Sequence, residues 1–237
     1  MALVWKTTRY FVSTQKAESS ILWRVNMLKK FFRARVGGRV NLIGGFVYYL
    51  SSFLVDFLVQ IGSPCIKIAG ADMNNYPLIA HAARYGVPIL LDTRGTLGEL
   101  EQAIATSLKA DNDQIIIVPC PSGYPALLDS VRLRMVQVYR TAFPYPIGFS
   151  DHNPDIDMNI AAIALGAHFI EKTITLEKMT EDVEHIMSLE PPELPGFVSR
   201  LRDVEHALGT RWTLTISDAQ RETMKKVRRS IVLNRDA

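Results

Sequence analysis

Residues 146–175 read PIGFSDHNPDIDMNIAAIALGAHFIEKTIT, and this stretch decides the fold. Ile147, Gly148 and Phe149 form a short apolar run that stops at Ser150-Asp151-His152, so polar side chains stand where a buried strand emerges. Parallel α/β folds place their active sites there. From Asp155 to Leu165 the apolar residues Ile156, Ile160, Ile163 and Ala164 fall near helical spacing, and Gly166 closes the helix. A second strand, His168 to Glu171, again ends in charge at Glu171-Lys172.

Working outward, the same rhythm recurs. Cys65 to Ala69 predicts a strand, and Tyr76 to Tyr85 a helix ending at Gly86. Pro88 to Leu91 predicts the next strand, closed by Asp92-Thr93-Arg94-Gly95, and Leu97 to Leu108 its helix. Ile115 to Val118 is a third strand, followed by the turn-rich stretch Pro119 to Pro125 and one helix from about Ala126 to Ala142. A last amphipathic helix spans Glu193 to Leu208, with Gly209 as its stop. Five consecutive strand-helix units at this spacing require a parallel sheet with helical crossovers. No GxGxxG follows a strand, which weakens the dinucleotide-binding reading, whereas polar residues at nearly every strand end suit the mouth of a barrel.

The flanks are less regular. Met1 to Gln15 lacks the features of a secretory signal. The run Val40 to Ile61 is strongly apolar, but Ser51, Ser52, Asp56 and Gly44-Gly45 interrupt it, which favours a strand and a core helix over a membrane span. Residues 210–237 predict a short helix and a basic connector. The expected organisation is a divergent segment over 1–62, barrel units over 63–209 and the connector over 210–237.

With 237 residues, 48% of them hydrophobic and 22% charged, the chain can bury a sizeable core. The net charge of +3 is concentrated in Lys29, Lys30, Arg33, Arg35 and Arg39 and in Lys225, Lys226, Arg228 and Arg229, and neither group is interleaved with a motif that reads nucleic acid. Cys65 and Cys120 are far apart without CxxC spacing, as expected of a reducing, cytoplasmic compartment.

Among single residues, Lys67 stands inside an apolar strand, where a lysine is costly unless paired or used, for instance on a phosphate or carboxylate. Otherwise it snorkels to solvent. His152 is either a loop residue or a metal ligand or acid/base. Glu184-His185 offers a proton acceptor with an orienting partner, or ordinary loop polarity. Ser122-Gly123-Tyr124-Pro125 suits a polyol or phosphate, and equally a plain turn. No Gly-x-Ser-x-Gly elbow, HExxH or Walker loop occurs.

Five segments in order, CIKIAGADMNNYPLI, VPILLDTRGTLGELEQAI, IIIVPCPSGYPALL, YPIGFSDHNPDIDMNIAAIALGAHFIEKTITLEK and VEHIMSLEPPEL, resemble the catalytic barrel of the sialic acid synthase family, which includes the N-acetylneuraminate, legionaminate and pseudaminate synthases. The resemblance implies an eight-stranded (β/α)8 TIM-type barrel, here incomplete at its N-terminus. It implies condensation of phosphoenolpyruvate with an N-acylated amino sugar aldehyde, release of phosphate, and a homodimer as partner state. Matched by position, Lys67 would bind phosphoenolpyruvate, with Asn75, Thr93, Ser122, Tyr124 and Ser150 lining the pocket. His152 would hold a divalent manganese or magnesium ion. Glu184 falls where many members have a sugar-contacting aspartate, and His185 joins it as a catalytic candidate.

Several positions depart from the family pattern. The second metal histidine is replaced by Thr173, and two expected serines are Gly70 and Asp92. A hydroxyl cannot replace imidazole as a strong ligand, so a weakened metal site is expected. Nothing in residues 1–40 matches the family's first strands, and the chain stops at the approach to the closing domain that many members carry. These departures leave one alternative, a non-catalytic remnant that binds or assembles, and the apolar run over 40–61 leaves another, a protein tethered to a membrane through it.

Overall fold

The structure, a computed structural model, describes residues 2–7, 42–44, 51–60, 62–63, 65–181, 184–209 and 216–229. Strand and helix alternate through most of them. The strands are β1 (Ala2–Thr7), β2 (Leu42–Gly44), β3 (Ile66–Ile68), β4 (Ile89–Asp92), β5 (Ile115–Val118), β6 (Gly148–Asp151) and β7 (Phe169–Ile174). The helices are α1 (Ser52–Gln60), α2 (Tyr76–Ala83), α3 (Leu97–Lys109), α4 (Leu128–Val131), α5 (Met135–Ala142), α6 (Asp157–Ala164), α7 (Leu194–Leu208) and α8 (Asp218–Val227).

All strand pairings are parallel, in one sheet of order β2-β1-β7-β6 and another of order β3-β4-β5. The two are joined at β5 and β6, where Ile117 bridges Ile147 and the Ser150 N–H donates to Pro119 O at 2.8 Å. Leu189 adds a parallel bridge to Ile174. The result is one parallel series β3-β4-β5-β6-β7-β1-β2. Pairing of β2 with β3, which would close it, does not occur among the described residues.

Side chains alternate between two cores, as a pleated strand requires. Ile66, Ile68, Ile89, Leu91, Ile115, Ile117, Ile147, Phe149 and Ile170 pack with the helices in the larger core. Cys65, Leu90, Val118 and Phe169, with Ile116 against them, form a small second cluster on the opposite face. Gly148 is required there, because a Cβ at this position would lie 2.9 Å from Phe169 Cδ1.

Several sequence expectations shift. Residues 1–40 were expected to show nothing that matches the family's first strands, yet β1 pairs with β7 from Ala2↔Phe169 to Thr7↔Ile174. The expected single helix over 126–142 is two, α4 and α5, divided at Arg132 in the left-handed region with φ 47°. β7 runs on to Ile174 instead of stopping at Glu171. The apolar run 40–61 holds β2 and the nine-residue α1, while residues 40–41, 45–50 and 61 lie outside the described residues. No helix among the described residues is long and apolar enough to cross a membrane. The basic residues Lys29 to Arg39 also lie outside them.

Candidate active site

One pleat beyond the small apolar cluster, the same face carries charge. Lys67 follows Cys65 by two residues on β3, Asp92 follows Leu90 on β4, Ser150 follows Gly148 on β6, and Glu171 follows Phe169 on β7. All four are buried. Lys67 Nζ donates to Glu171 Oε1 at 2.6 Å and to Oε2 at 2.5 Å, and lies 3.5 Å from Asp92 Oδ2. Burial pulls the Lys67 ammonium toward neutrality, but the Glu171 and Asp92 carboxylates outweigh it and its pKa stands above the ordinary lysine value. Burial likewise pushes Asp92 up, yet Lys67 and Arg94 prevail and hold its carboxyl below the usual carboxylate value. Beside them the Ser150 hydroxyl is fully buried with no hydrogen-bond partner among the described residues. An unsatisfied buried hydroxyl is costly, so its retention among charged neighbours points to a ligand.

The network continues toward His152. The Arg94 N–H donates to Asp92 Oδ1 at 3.0 Å, and Arg94 Nη1 donates to the Tyr124 hydroxyl at 2.9 Å. The Tyr124 ring stacks on His152 with centroids 4.4 Å apart. His152 Nδ1 lies 3.2 Å from Gly123 O; a carbonyl only accepts, so Nδ1 carries the proton of the neutral ring. Nε2 then faces Cys120 Sγ at 3.7 Å. Burial pushes the Cys120 thiol up to about 12, helped by Asp92, and the Cys65 thiol also up to about 12, so both stay protonated at neutral pH.

This tautomer suits Nε2 as a metal ligand. Its companions do not complete a set. Thr173 is buried with its hydroxyl 3.5 Å from Met187 O, and no group of three or more His, Cys, Asp or Glu side chains could hold a metal among the described residues. The described residues therefore supply one strong ligand and do not fit a protein-built manganese or magnesium centre.

The sequence candidates divide accordingly. Lys67, Ser150, Tyr124 and His152 fall in or along this network. Asn75 caps α2, its Oδ1 accepting from the Leu78 N–H at 3.3 Å. Thr93 is held through its backbone, donating to Val118 O at 3.2 Å. Ser122 is exposed, and its carbonyl accepts from Ser130 Oγ at 2.8 Å. His185 meets the Thr175 hydroxyl at 2.5 Å just past β7. Glu184 is buried next to it, with its carbonyl accepting from Ser188 Oγ at 2.6 Å. Glu171, Asp92 and Arg94 were not singled out as site residues. For Glu171 the signal was present, since an acid inside an apolar strand carries the same burial cost that marked Lys67.

A parallel α/β fold with buried, paired charge along its strands is an enzyme-type scaffold. Known proteins narrow it. Residues 48–212 match the NeuB family. The chain is 34% identical over 185 residues to the N,N'-diacetyllegionaminic acid synthase of Campylobacter jejuni, covering 77% of this chain and 55% of that protein. It is 34% identical over 162 residues to human N-acetylneuraminate-9-phosphate synthase, covering 68% and 45%. In structure it is similar to the N-acetylneuraminic acid (sialic acid) synthetase of Leptospira borgpetersenii, crystallised with citrate, at TM-score 0.72 and 25% identity over 88% of this chain and 69% of that one. The chain belongs to the NeuB family, the sialic acid synthases. It spans about half the length of these curated relatives.

Proposed function

We propose that this chain carries the phosphoenolpyruvate-binding part of a nonulosonic acid synthase site, on a barrel of eight strands when whole. There phosphoenolpyruvate condenses with an N-acylated amino sugar aldehyde, and phosphate is released. The observation that carries this reading is the Ser150 hydroxyl, buried and without a partner among the described residues, in the same layer as Lys67. Lys67 supplies fixed positive charge and Ser150 a hydrogen-bond donor, both on rigid strands, so neither is reorganised as the ligand arrives. Tyr124 holds the His152 ring by stacking, with Nδ1 anchored on Gly123 O and Nε2 toward Cys120 Sγ. A divalent cation would have Nε2 as its one strong ligand from the described residues.

A non-catalytic relative that still binds the anion is the second reading. It draws on Thr173, which stands buried where the resemblance places a histidine.

Thermal melts with phosphoenolpyruvate, with and without manganese, test the proposal. A ligand specific to the folded state adds about 2.7 kcal/mol at one hundred times its dissociation constant. The expected result is an upward shift with phosphoenolpyruvate alone, lost in Ser150→Ala. A cooperative transition that ignores phosphoenolpyruvate under both conditions would overturn it.

A further inference from the structure

Three positions beside Lys67 are built as a unit. Asp92 lies 3.5 Å from Lys67 Nζ and is fully buried. Arg94 folds back onto it, with its N–H on Oδ1 at 3.0 Å and Nη2 at 3.4 Å from Oδ2. The return needs the space left by Gly70. A Cβ there would stand 2.6 Å from Arg94 Cβ, and 3.0 Å from both Arg94 Nε and Asp92 Oδ1. A side chain at 70 and this placement of Arg94 exclude each other.

The charges explain why the unit matters. Lys67 contributes +1, while Glu171 and Asp92 contribute −1 each; a multiply charged anion reaching Lys67 would meet net negative charge if these three stood alone. Arg94 brings the group to neutrality, and its side chain is 19% exposed whereas Asp92 is sealed. Arg94 is thus the cation of the group that can turn to an incoming ligand.

We propose that Asp92 and Arg94 set the anion affinity and selectivity of this pocket: Arg94 contacts the phosphate or carboxylate of the ligand, and Asp92 holds affinity down by competing for both Arg94 and Lys67. Binding exchanges an Arg94–Asp92 pairing for an Arg94–anion one. Ligands with two or more negative charges gain most from the exchange, so phosphoenolpyruvate is favoured over a monocarboxylate. This deepens the proposed function and rests on it.

Calorimetric titration of the full chain with phosphoenolpyruvate and with inorganic phosphate tests the unit, with wild type, Asp92→Asn, Arg94→Gln and the double variant compared. One charge a few ångströms from a bound charge changes an equilibrium by about tenfold or more. Asp92→Asn should tighten both anions about tenfold, Arg94→Gln should weaken them about tenfold, and the double variant should return near wild type. Gly70→Ala keeps every charge but displaces Arg94, and it should behave as Arg94→Gln; it decides the matter if Asp92→Asn does not fold. Wild-type binding that Asp92→Asn leaves unchanged or weakens overturns the inference and leaves the proposed function standing. No binding by any of the folded proteins overturns both.

Discussion

Lys67 and Lys172 are two lysines buried in parallel strands, each against a neighbouring carboxylate, and their surroundings move them in opposite directions. Lys67 faces two acids, Glu171 and Asp92, and is held more firmly charged than a lysine in water. Lys172, on the helix side of β7, meets Asp151 Oδ2 at 2.7 Å, and there burial outweighs the acid and lowers its pKa. Lys172 also donates to the carbonyls of Asn153 and Asp155. Asp151 in turn accepts from Asn159 Nδ2 at 2.5 Å and from the Asn153 N–H at 2.9 Å. The outer pair ties β6, β7 and the start of α6 together with fixed acceptors. The inner pair sits beside a hydroxyl with no partner among the described residues and a second carboxylate, Asp92, which Arg94 balances. Burial and pairing alone do not separate structure from function, and neither does one unsatisfied atom, since Asn159 Oδ1 beside the outer pair also lacks a partner among the described residues; the number of acids each lysine faces does.

Removing the outer lysine should have the largest effect. Lys172→Met leaves Asp151 buried without its cation, and breaking a buried pair in this way costs about 3–5 kcal/mol. Urea unfolding should show that loss, while the folded fraction keeps its phosphoenolpyruvate affinity. Lost affinity in a folded variant would remove the distinction between the two lysines. Next, Gly148→Ala forces a Cβ to within 2.9 Å of Phe169 Cδ1 beneath the inner charges. Overpacking of this kind costs about 1–3 kcal/mol, and near-ultraviolet circular dichroism should report displacement of the aromatic ring. An unchanged melt would mean that the inner face is loosely packed. The smallest change tests the rim: Thr96 and Glu99 form a capping box at the start of α3, with Glu99 Oε2 2.7 Å from Thr96 N. Thr96→Ala should cost about 1 kcal/mol with anion affinity untouched, which would confine the binding effect to the buried layer.

Much of this arrangement was legible in the sequence. β5 falls where Ile115 to Val118 predicts it, Lys67 lies inside a strand as its apolar neighbours predict, and the positions of Ser150 and His152 follow from an apolar run that stops abruptly. What escaped has physical causes. Glu171-Lys172 was read as the polar end of a strand, because apolar periodicity cannot register two charges that are buried on opposite faces and neutralised by residues 104 and 21 positions away. The break between α4 and α5 has no glycine or proline to announce it; Arg132 takes the left-handed conformation itself. Asn75 looked like a pocket residue by position, yet its side chain closes the first turn of α2. Local hydrogen bonding of this sort is invisible to a pattern matched on residue type.

The alternation along β7 also guards how the chain assembles. Glu171 meets Lys67 on one face while Lys172 meets Asp151 on the other, and Ser150 pairs in register with Glu171. Sliding this strand by a single residue during folding would exchange the two faces. Lysine would then confront lysine inside, and glutamate would confront aspartate outside, two repulsions from one error. The misaligned sheet is therefore penalised twice over before any helix packs on it, and the correct partner of β6 is chosen by charge as well as by shape.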